Sequence, residues 1–254
     1  MKHNFLVLIT IFYCAVSCNS DDEGVSHTEE WSYNGETGPD RWAEIEKESE
    51  CGGAFQSPIN ILQTQTDNTL QPLDIHYDAG IKISNVVNNG HTVQFNFEAG
   101  NYITLNGEKY KLKQFHFHEL SEHTLGGVHF PMEIHLVHVS DAGKYAVLAI
   151  LTEESATGSD QFDFLDTYLP LAVEESKTVN SAYNMNEVLP GEKQYFTYTG
   201  SLTTPPCTED VQWFIFKTPV EVPVGLIESL HDAMPANNYR PTQPLNGRIV
   251  KESV

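Results

Sequence analysis

A mainly β domain with a few short helices at its edge is predicted by three observations. Short runs rich in β-branched and aromatic residues succeed one another from residue 73 to residue 217. Turn-forming pairs, Asn89-Gly90 and Asn106-Gly107, punctuate those runs. Only two stretches carry a helical pattern, 161–169 and 224–234, the second starting directly after Pro223.

The runs follow in order. Residues 73–76, 81–87, 92–97 and 102–105 are strands separated by Asn, Gly and Asp; 111–118, 132–140, 145–152 and 211–217 continue the pattern. No repeat and no composition break divides the chain after Trp31, so one domain over 31–254 is expected, long enough to bury a full core. The balance of 35 acidic against 14 basic residues gives a net charge of −21, a field that argues against nucleic acid and anionic membrane surfaces as partners.

The start has the form of an export signal. Lys2 provides a positive end, and residues 5–16 are apolar but too short for a membrane span, which needs roughly 20 residues. Ala15-Val16-Ser17-Cys18 resembles a bacterial lipobox, so 1–17 is read as a signal peptide and Cys18 as a lipid-bearing N-terminus. The acidic stretch to residue 30 then serves as a linker. Expected locations are the periplasm, or the outer membrane or cell surface through that anchor; plain secretion is the alternative. Cys51 and Cys207 are the cysteines left in the domain, and in an oxidising compartment they read as one disulfide.

Six of the eleven histidines fall between His116 and His138. In a strand, residues two apart share a face. Gln114, His116 and His118 therefore point one way while Phe115 and Phe117 point the other. On the run 132–140, Glu133, His135 and Val137 share a face in the same manner. If the two strands are neighbours, His116, His118 and His135 converge. Three neutral imidazoles plus a water form the donor set of a catalytic Zn2+ site, and an all-nitrogen set disfavours calcium and magnesium. His138 lies an odd number of residues from His135 and should face away. Spacing alone leaves His123 and His129 open as ligands.

At these residues the chain resembles the α-class carbonic anhydrases, with features of their bacterial branch. The resemblance rests on Trp31-Ser32-Tyr33, Gln56-Ser57-Pro58-Ile59-Asn60-Ile61, Asn88-Asn89-Gly90-His91 and Gln114-Phe115-His116-Phe117-His118. It continues through Ser121-Glu122-His123-Thr124-Leu125, Phe130-Pro131-Met132-Glu133-Ile134-His135-Leu136-Val137, Gly200-Ser201-Leu202-Thr203-Thr204-Pro205-Pro206 and Asn238-Tyr239-Arg240-Pro241 with Gln243-Pro244-Leu245.

The resemblance implies a large, mostly antiparallel, twisted central sheet with short peripheral helices. It implies a zinc enzyme that interconverts CO2 and bicarbonate by attack of zinc-held hydroxide, with a side activity on activated esters. Its small-molecule partners are then CO2, bicarbonate and water, and membrane contact comes through the lipid only. It picks His116, His118 and His135 as ligands, with Gln114 and Glu133 accepting from ligand N–H groups. It gives Thr203 and Glu122 as a coupled pair in which the threonine donates to the carboxylate. Val137, Val147, Leu202, Thr204 and Trp213 correspond to the CO2 pocket. Tyr33, Asn89 and Gln94 correspond to a water-ordering side, the family often having Asn where Gln94 stands. His91 corresponds to a proton shuttle. A recognition module lacking catalysis is the rival reading; such relatives have lost a ligand histidine, and here all three stand beside Glu122 and Thr203.

The anchor is directly testable. Stable attachment needs more than one acyl chain, which lipidation of Cys18 would supply. Cys18→Ser is expected to move the protein out of the membrane fraction or leave its precursor uncleaved; fractionation and mass that do not change would point to plain secretion.

Overall fold

The computed structural model describes residues 30–157 and 159–254. The signal peptide, Cys18 and nearly all of the acidic linker lie outside the described residues. The strands are β1 Asn60–Ile61, β2 Gln65–Thr66, β3 Asp74–His76, β4 Lys82–Asn88, β5 Val93–Phe97, β6 Tyr102–Leu105, β7 Glu108–Glu119, β8 Thr124–Leu125, β9 Met132–Ser140, β10 Tyr145–Ser155, β11 Ser176–Ala182, β12 Tyr195–Gly200, β13 Val211–Phe216, β14 Val220–Pro223 and β15 Lys251–Glu252. The helices are α1 Trp42–Ile45, α2 Asp160–Asp166 and α3 Val224–Ala233.

One 13-stranded sheet dominates, with the path β11-β4-β5-β7-β9-β10-β13-β12-β15-β2. Pairing is antiparallel through the β4, β5, β7, β9 and β10 segment. It is parallel where β10 meets β13 and β14, and where β15 meets β2. Among the described residues no helix is long and apolar enough to cross a membrane.

The central strands are buried on both faces, which is why they read as nearly unbroken apolar runs. On one face Phe115, Phe117, Ile134, Leu136, Leu148, Ile150, Phe214 and Phe216 form the larger core. On the other, Val137, Val147, Ala149, Leu151, Trp213 and Ile215 form a smaller one. His116, His118 and His135 share that second face.

A β-bulge at Lys113 sets the parity that the site needs. Leu112 pairs with His138 but Gln114 pairs with Val137, so two steps on β7 match one on β9. Leu112 consequently joins the larger core together with Phe115 and Phe117, although their spacing is odd. Without the extra residue, either Tyr110 and Leu112, or the phenylalanines and the histidines together, would be turned to the wrong face.

Local chemistry sets the ends of the elements. Asn106 and Gly107 both have positive φ, 51° and 82°, as the tight β6–β7 hairpin requires. Between β4 and β5, Asn89 Oδ1 accepts from the backbone N–H of His91 and Thr92 and so closes that turn. The expected helix over 161–169 is shorter and begins one residue earlier. Ser159 caps it by accepting from Phe162 N–H. The chain after Asp166 tightens into i−3 hydrogen bonds at Tyr168 and Leu169, because the residue before Pro170 is disfavoured in the helical region. α3 follows Pro223 as expected and buries Leu226 and Leu230.

The predicted disulfide joins Cys51 to Cys207 across 156 positions of sequence. Around it Trp42 and Tyr33 are buried and Trp31 packs on them. The bridge fastens the 201–209 loop to the 50–57 segment, where Glu50 N–H also donates to Pro206 O and Gln56 Nε2 to Cys207 O. The double variant Cys51→Ala/Cys207→Ala is expected to lose about 2–5 kcal/mol of unfolding free energy. Denaturant melts beside thiol titration of the unfolded, unreduced wild-type domain check this; two free thiols in the wild type would refute the pairing.

Candidate metal centre

Sheet register brings the three histidines together. His116 on β7 lies directly opposite His135 on β9, and His118 opposite Glu133. The ligand-capable nitrogens of His116, His118 and His135 all lie within 4.8 Å of one another. His118 and His135 are each 1% exposed.

Each ring is held from behind. Gln114 Oε1 lies 2.9 Å from His116 Nδ1. The backbone carbonyl of Asn238 accepts from His118 Nδ1 at 2.7 Å. Glu133 Oε1 accepts from His135 Nε2 at 2.8 Å. A neutral imidazole has one N–H. With that proton spent outward, His116 Nε2, His118 Nε2 and His135 Nδ1 face the centre as lone pairs.

That arrangement needs a cation. His116 Nε2 and His118 Nε2 stand 3.1 Å apart with no proton between them. Glu122 adds negative charge to the same spot. It is fully buried, and its Oε1 accepts from Arg240 N–H at 2.9 Å. Its Oε2 accepts no hydrogen bond and lies 3.5 Å from His118 Nε2 and 3.9 Å from His135 Nδ1. The expected donation from Thr203 is therefore not made here; Oε2 is turned among the imidazoles instead. Three bare imidazole nitrogens with an orphaned carboxylate oxygen fit zinc and leave a place for a small ligand.

Burial disfavours the charged form of His116 and His118. Desolvation pushes His116 well below the ordinary imidazole value and lowers His118, with neighbouring imidazoles adding repulsion in both. Burial thus favours the neutral form of both rings, the form a metal ligand needs.

The open alternatives close on geometry. His123 has both nitrogens engaged, Nδ1 with Glu133 Oε1 and Nε2 with the Tyr198 hydroxyl, each at 2.7 Å. His129 Nδ1 donates to Ser121 O. His138 points into the opposite face, where Nε2 meets Tyr77 Oη at 2.7 Å, and burial lowers its pKa to about 4. The proximity of His123, Glu133 and His135 is a hydrogen-bonded set and not a second metal site.

Beside the ligands runs a dry wall. Val137, Val147 and Trp213 are aligned partners across β9, β10 and β13. Leu202 packs against them, and Trp213 Nε1 donates to Ser201 O, holding the 200–204 loop over the row. The Trp213 ring centroid is 4.9 Å from that of His135. Thr204 sits in the same loop, its carbonyl accepting from Cys207 N–H.

The polar candidates are arranged less uniformly. Gln94 is the register partner of His116, with its amide given to Asn96 Oδ1 at 2.7 Å. Asn89 uses its side-chain oxygen within its own turn. Tyr33 is 7% exposed, and burial first, then the charge of Glu122, holds its hydroxyl well above the usual phenol pKa. The His91 ring stacks on Trp31, with centroids 3.7 Å apart and planes 11° apart.

Sequence reasoning missed two contributors. Asn238 acts on His118 through its backbone carbonyl, which no side-chain pattern reveals. Arg240 joins four groups. Its N–H donates to Glu122, and its guanidinium donates to Gln56 Oε1, Ser57 O and Cys51 O. The only signal of either was their presence in the Asn238-Tyr239-Arg240-Pro241 motif.

Comparison with known proteins agrees with the geometry. Residues 37–254 match the family described as eukaryotic-type carbonic anhydrase. The chain is 39% identical over 227 residues to a carbonic anhydrase of Klebsiella pneumoniae, covering 87% of this chain and 90% of that one. It is 38% identical over 230 residues to a carbonic anhydrase of Neisseria gonorrhoeae, covering 89% of each. The solved structure of the Photobacterium profundum α-carbonic anhydrase superposes with a TM-score of 0.81 at 38% identity, covering 87% of this chain and all of that one.

The ligand set predicts one zinc per chain. His118→Ala leaves two imidazoles and is expected to lose stoichiometric metal in equilibrium dialysis. Because burial holds His116 and His118 below the ordinary imidazole pKa, protons should begin to compete with zinc only below about pH 6.5. Imidazole nitrogen NMR of the metal-free chain checks this; protonation of His116 or His118 already at pH 7 would contradict it.

Proposed function

The chain belongs to the α-carbonic anhydrase family, an enzyme family of CO2 hydration, and on that premise we propose a zinc-dependent mechanism carried by the residues described. The observation behind it is the convergence of three proton-free imidazole nitrogens beside the row Val137–Val147–Trp213. His116, His118 and His135 hold the metal. Zinc, when bound, supplies the Lewis acidity that makes a water yield hydroxide near neutral pH, a property known for carbonic anhydrases in general and inherited here.

The protein's own groups do the rest. CO2 has no dipole and needs a small apolar seat beside the nucleophile. Val137, Val147, Leu202 and Trp213 supply it, with Thr204 at the edge. The Thr203 hydroxyl has one proton. Delivered to the unpaired Oε2 of Glu122, that proton leaves only a lone pair directed inward, which admits a ligand bearing hydrogen and rejects one that does not. Tyr33, Asn89 and Gln94 supply the side on which water is ordered. Bicarbonate leaves by exchange with water.

His91 carries the product proton outward. Burial draws its pKa below the ordinary imidazole value, while Glu30, 4.0 Å away, pulls the other way. Transfer between near-equal acids is nearly thermoneutral, which is what suits an imidazole to this task. Activated esters are a side substrate of the same nucleophile. The enzyme is exported and held at a membrane by lipid on Cys18.

Stopped-flow CO2 hydration on the purified chain tests the reading, before and after removal of zinc by chelation. Activity is expected in the metal-loaded form, to vanish on stripping and to return with zinc. Inactivity with zinc bound would favour a recognition module, and ester cleavage alone a hydrolase. His91→Ala should lower turnover in dilute buffer by about 10-fold or more, with the CO2–bicarbonate exchange step preserved and imidazole restoring the loss. Wild-type turnover of that variant in weak buffer would remove His91 from the proton path.

A further inference from the structure

The side chain of Asn238 joins the strand of the metal ligands to the turn that carries His91. Asn238 is fully buried. Its Oδ1 accepts from Glu119 N–H at 2.7 Å. Its Nδ2 donates to His91 O at 3.1 Å and to Phe117 O at 3.0 Å. Thr92, 7% exposed, fastens the turn to the same point of β7, its Oγ1 donating to Phe117 O at 2.6 Å.

Backbone partners fix the orientation of the amide. An N–H can only donate and a C=O can only accept, so Oδ1 must face Glu119 and Nδ2 must face His91 and Phe117. Phe117 and Glu119 flank the ligand His118 on β7, whereas His91 lies between β4 and β5. The β5–β7 ladder stops short of His91, at the pair Gln94 and His116. Asn89 Oδ1 fixes the shape of the turn, but not where the turn sits against β7. Thr92 and Asn238 carry the join onward from the end of the ladder to His91. The 238–240 segment thus reaches three parts of the site. The main chain at 238 holds His118, the main chain at 240 holds Glu122, and the side chain at 238 holds the backbone of His91.

We infer that Asn238, with Thr92 beside it, is a positioning residue for the proton-transfer step, its side chain setting the span from the metal site to His91. The inference rests on the reading of His91 as the proton carrier. Transfer across such a span depends steeply on geometry, and a displacement of about 1 Å can cost roughly 100-fold.

Asn238→Ser draws the side chain out of reach of His91 O and keeps the backbone carbonyl for His118. Thr92→Val keeps the shape and removes the hydroxyl. In stopped-flow hydration in dilute buffer, kcat is expected to fall about 3- to 30-fold in the first and about 2- to 5-fold in the second. kcat/KM and the CO2–bicarbonate exchange rate should stay within about twofold of wild type, and added imidazole should restore kcat. A merely structural loss removes active enzyme, so it lowers kcat and kcat/KM by one factor and imidazole does not repair it. Added to His91→Ala, Asn238→Ser should cost less than about twofold more, since the span to an absent carrier no longer matters. The inference is overturned if Asn238→Ser keeps its kcat, if kcat and kcat/KM fall together, or if its loss adds in full to that of His91→Ala. Should Asn238→Ser not fold, Thr92→Val decides by the same criteria. Wild-type turnover of His91→Ala in dilute buffer would instead remove the proton-carrier reading on which the inference stands.

Discussion

Two imidazole nitrogens 3.1 Å apart, each carrying a lone pair, repel one another until a cation lies between them. Holding that pair together with a third, and with an unpaired carboxylate oxygen nearby, requires a scaffold that does not yield. A loop could relax such a cluster by small rotations. Here the ligands sit on β7 and β9, in the middle of a sheet covered on both faces, where rotation would disturb close-packed neighbours. Each ring is further fixed by an acceptor behind it, one of them a backbone carbonyl and one a buried carboxylate. The site is preorganised because the sheet and the outward hydrogen bonds oppose its internal repulsion.

The same sheet separates wet from dry chemistry by parity. His116 and His135 belong to one register row, with Gln94 beyond His116 and Ala149 beyond His135. The next row runs Gln114, Val137, Val147, Trp213 and Tyr198. Polar groups thus occupy the β5 and β7 side of the face, and apolar groups the β10 and β13 side. A nucleophile generated at the histidines stands at the boundary between them. The bulge at Lys113 makes this compatible with a strand that must also supply Leu112, Phe115 and Phe117 to the opposite core.

Most of this could be read from the sequence, with gaps that have physical causes. His116 and His118 were legible because a strand alternates, and Phe115 and Phe117 between them marked which face was core. His135 followed once the strands were taken as neighbours, and the family resemblance chose it over His123 and His129. The bulge was not legible, since one added residue leaves the composition of a strand unchanged and shows only in register. His123 could not be separated from a ligand by spacing, because its role depends on Tyr198, 75 positions away. The carbonyl of Asn238 is a backbone group and carries no residue signature. The Thr203–Glu122 contact expected from the resemblance is absent here, where the carboxylate faces the bare imidazoles.

Stability and chemistry use the same parts in this chain. The disulfide fixes the 201–209 loop on the 50–57 segment. That loop brings the Ser201 N–H that donates to Ser57 Oγ, and the Ser201 carbonyl that accepts from Trp213 Nε1. Arg240 ties the other side, since its guanidinium holds Cys51, Gln56 and Ser57 while its backbone N–H holds Glu122. Gly200 makes the junction possible, because a Cβ there would come within 2.1 Å of Ser57 Oγ and 2.7 Å of the Tyr198 ring. A disturbance of the bridge should therefore not remain a matter of unfolding free energy alone. Loosening the loop would release both the Ser201 carbonyl that holds the Trp213 ring and the Leu202 side chain packed on the same apolar row, so the apolar wall beside His135 would loosen with the fold.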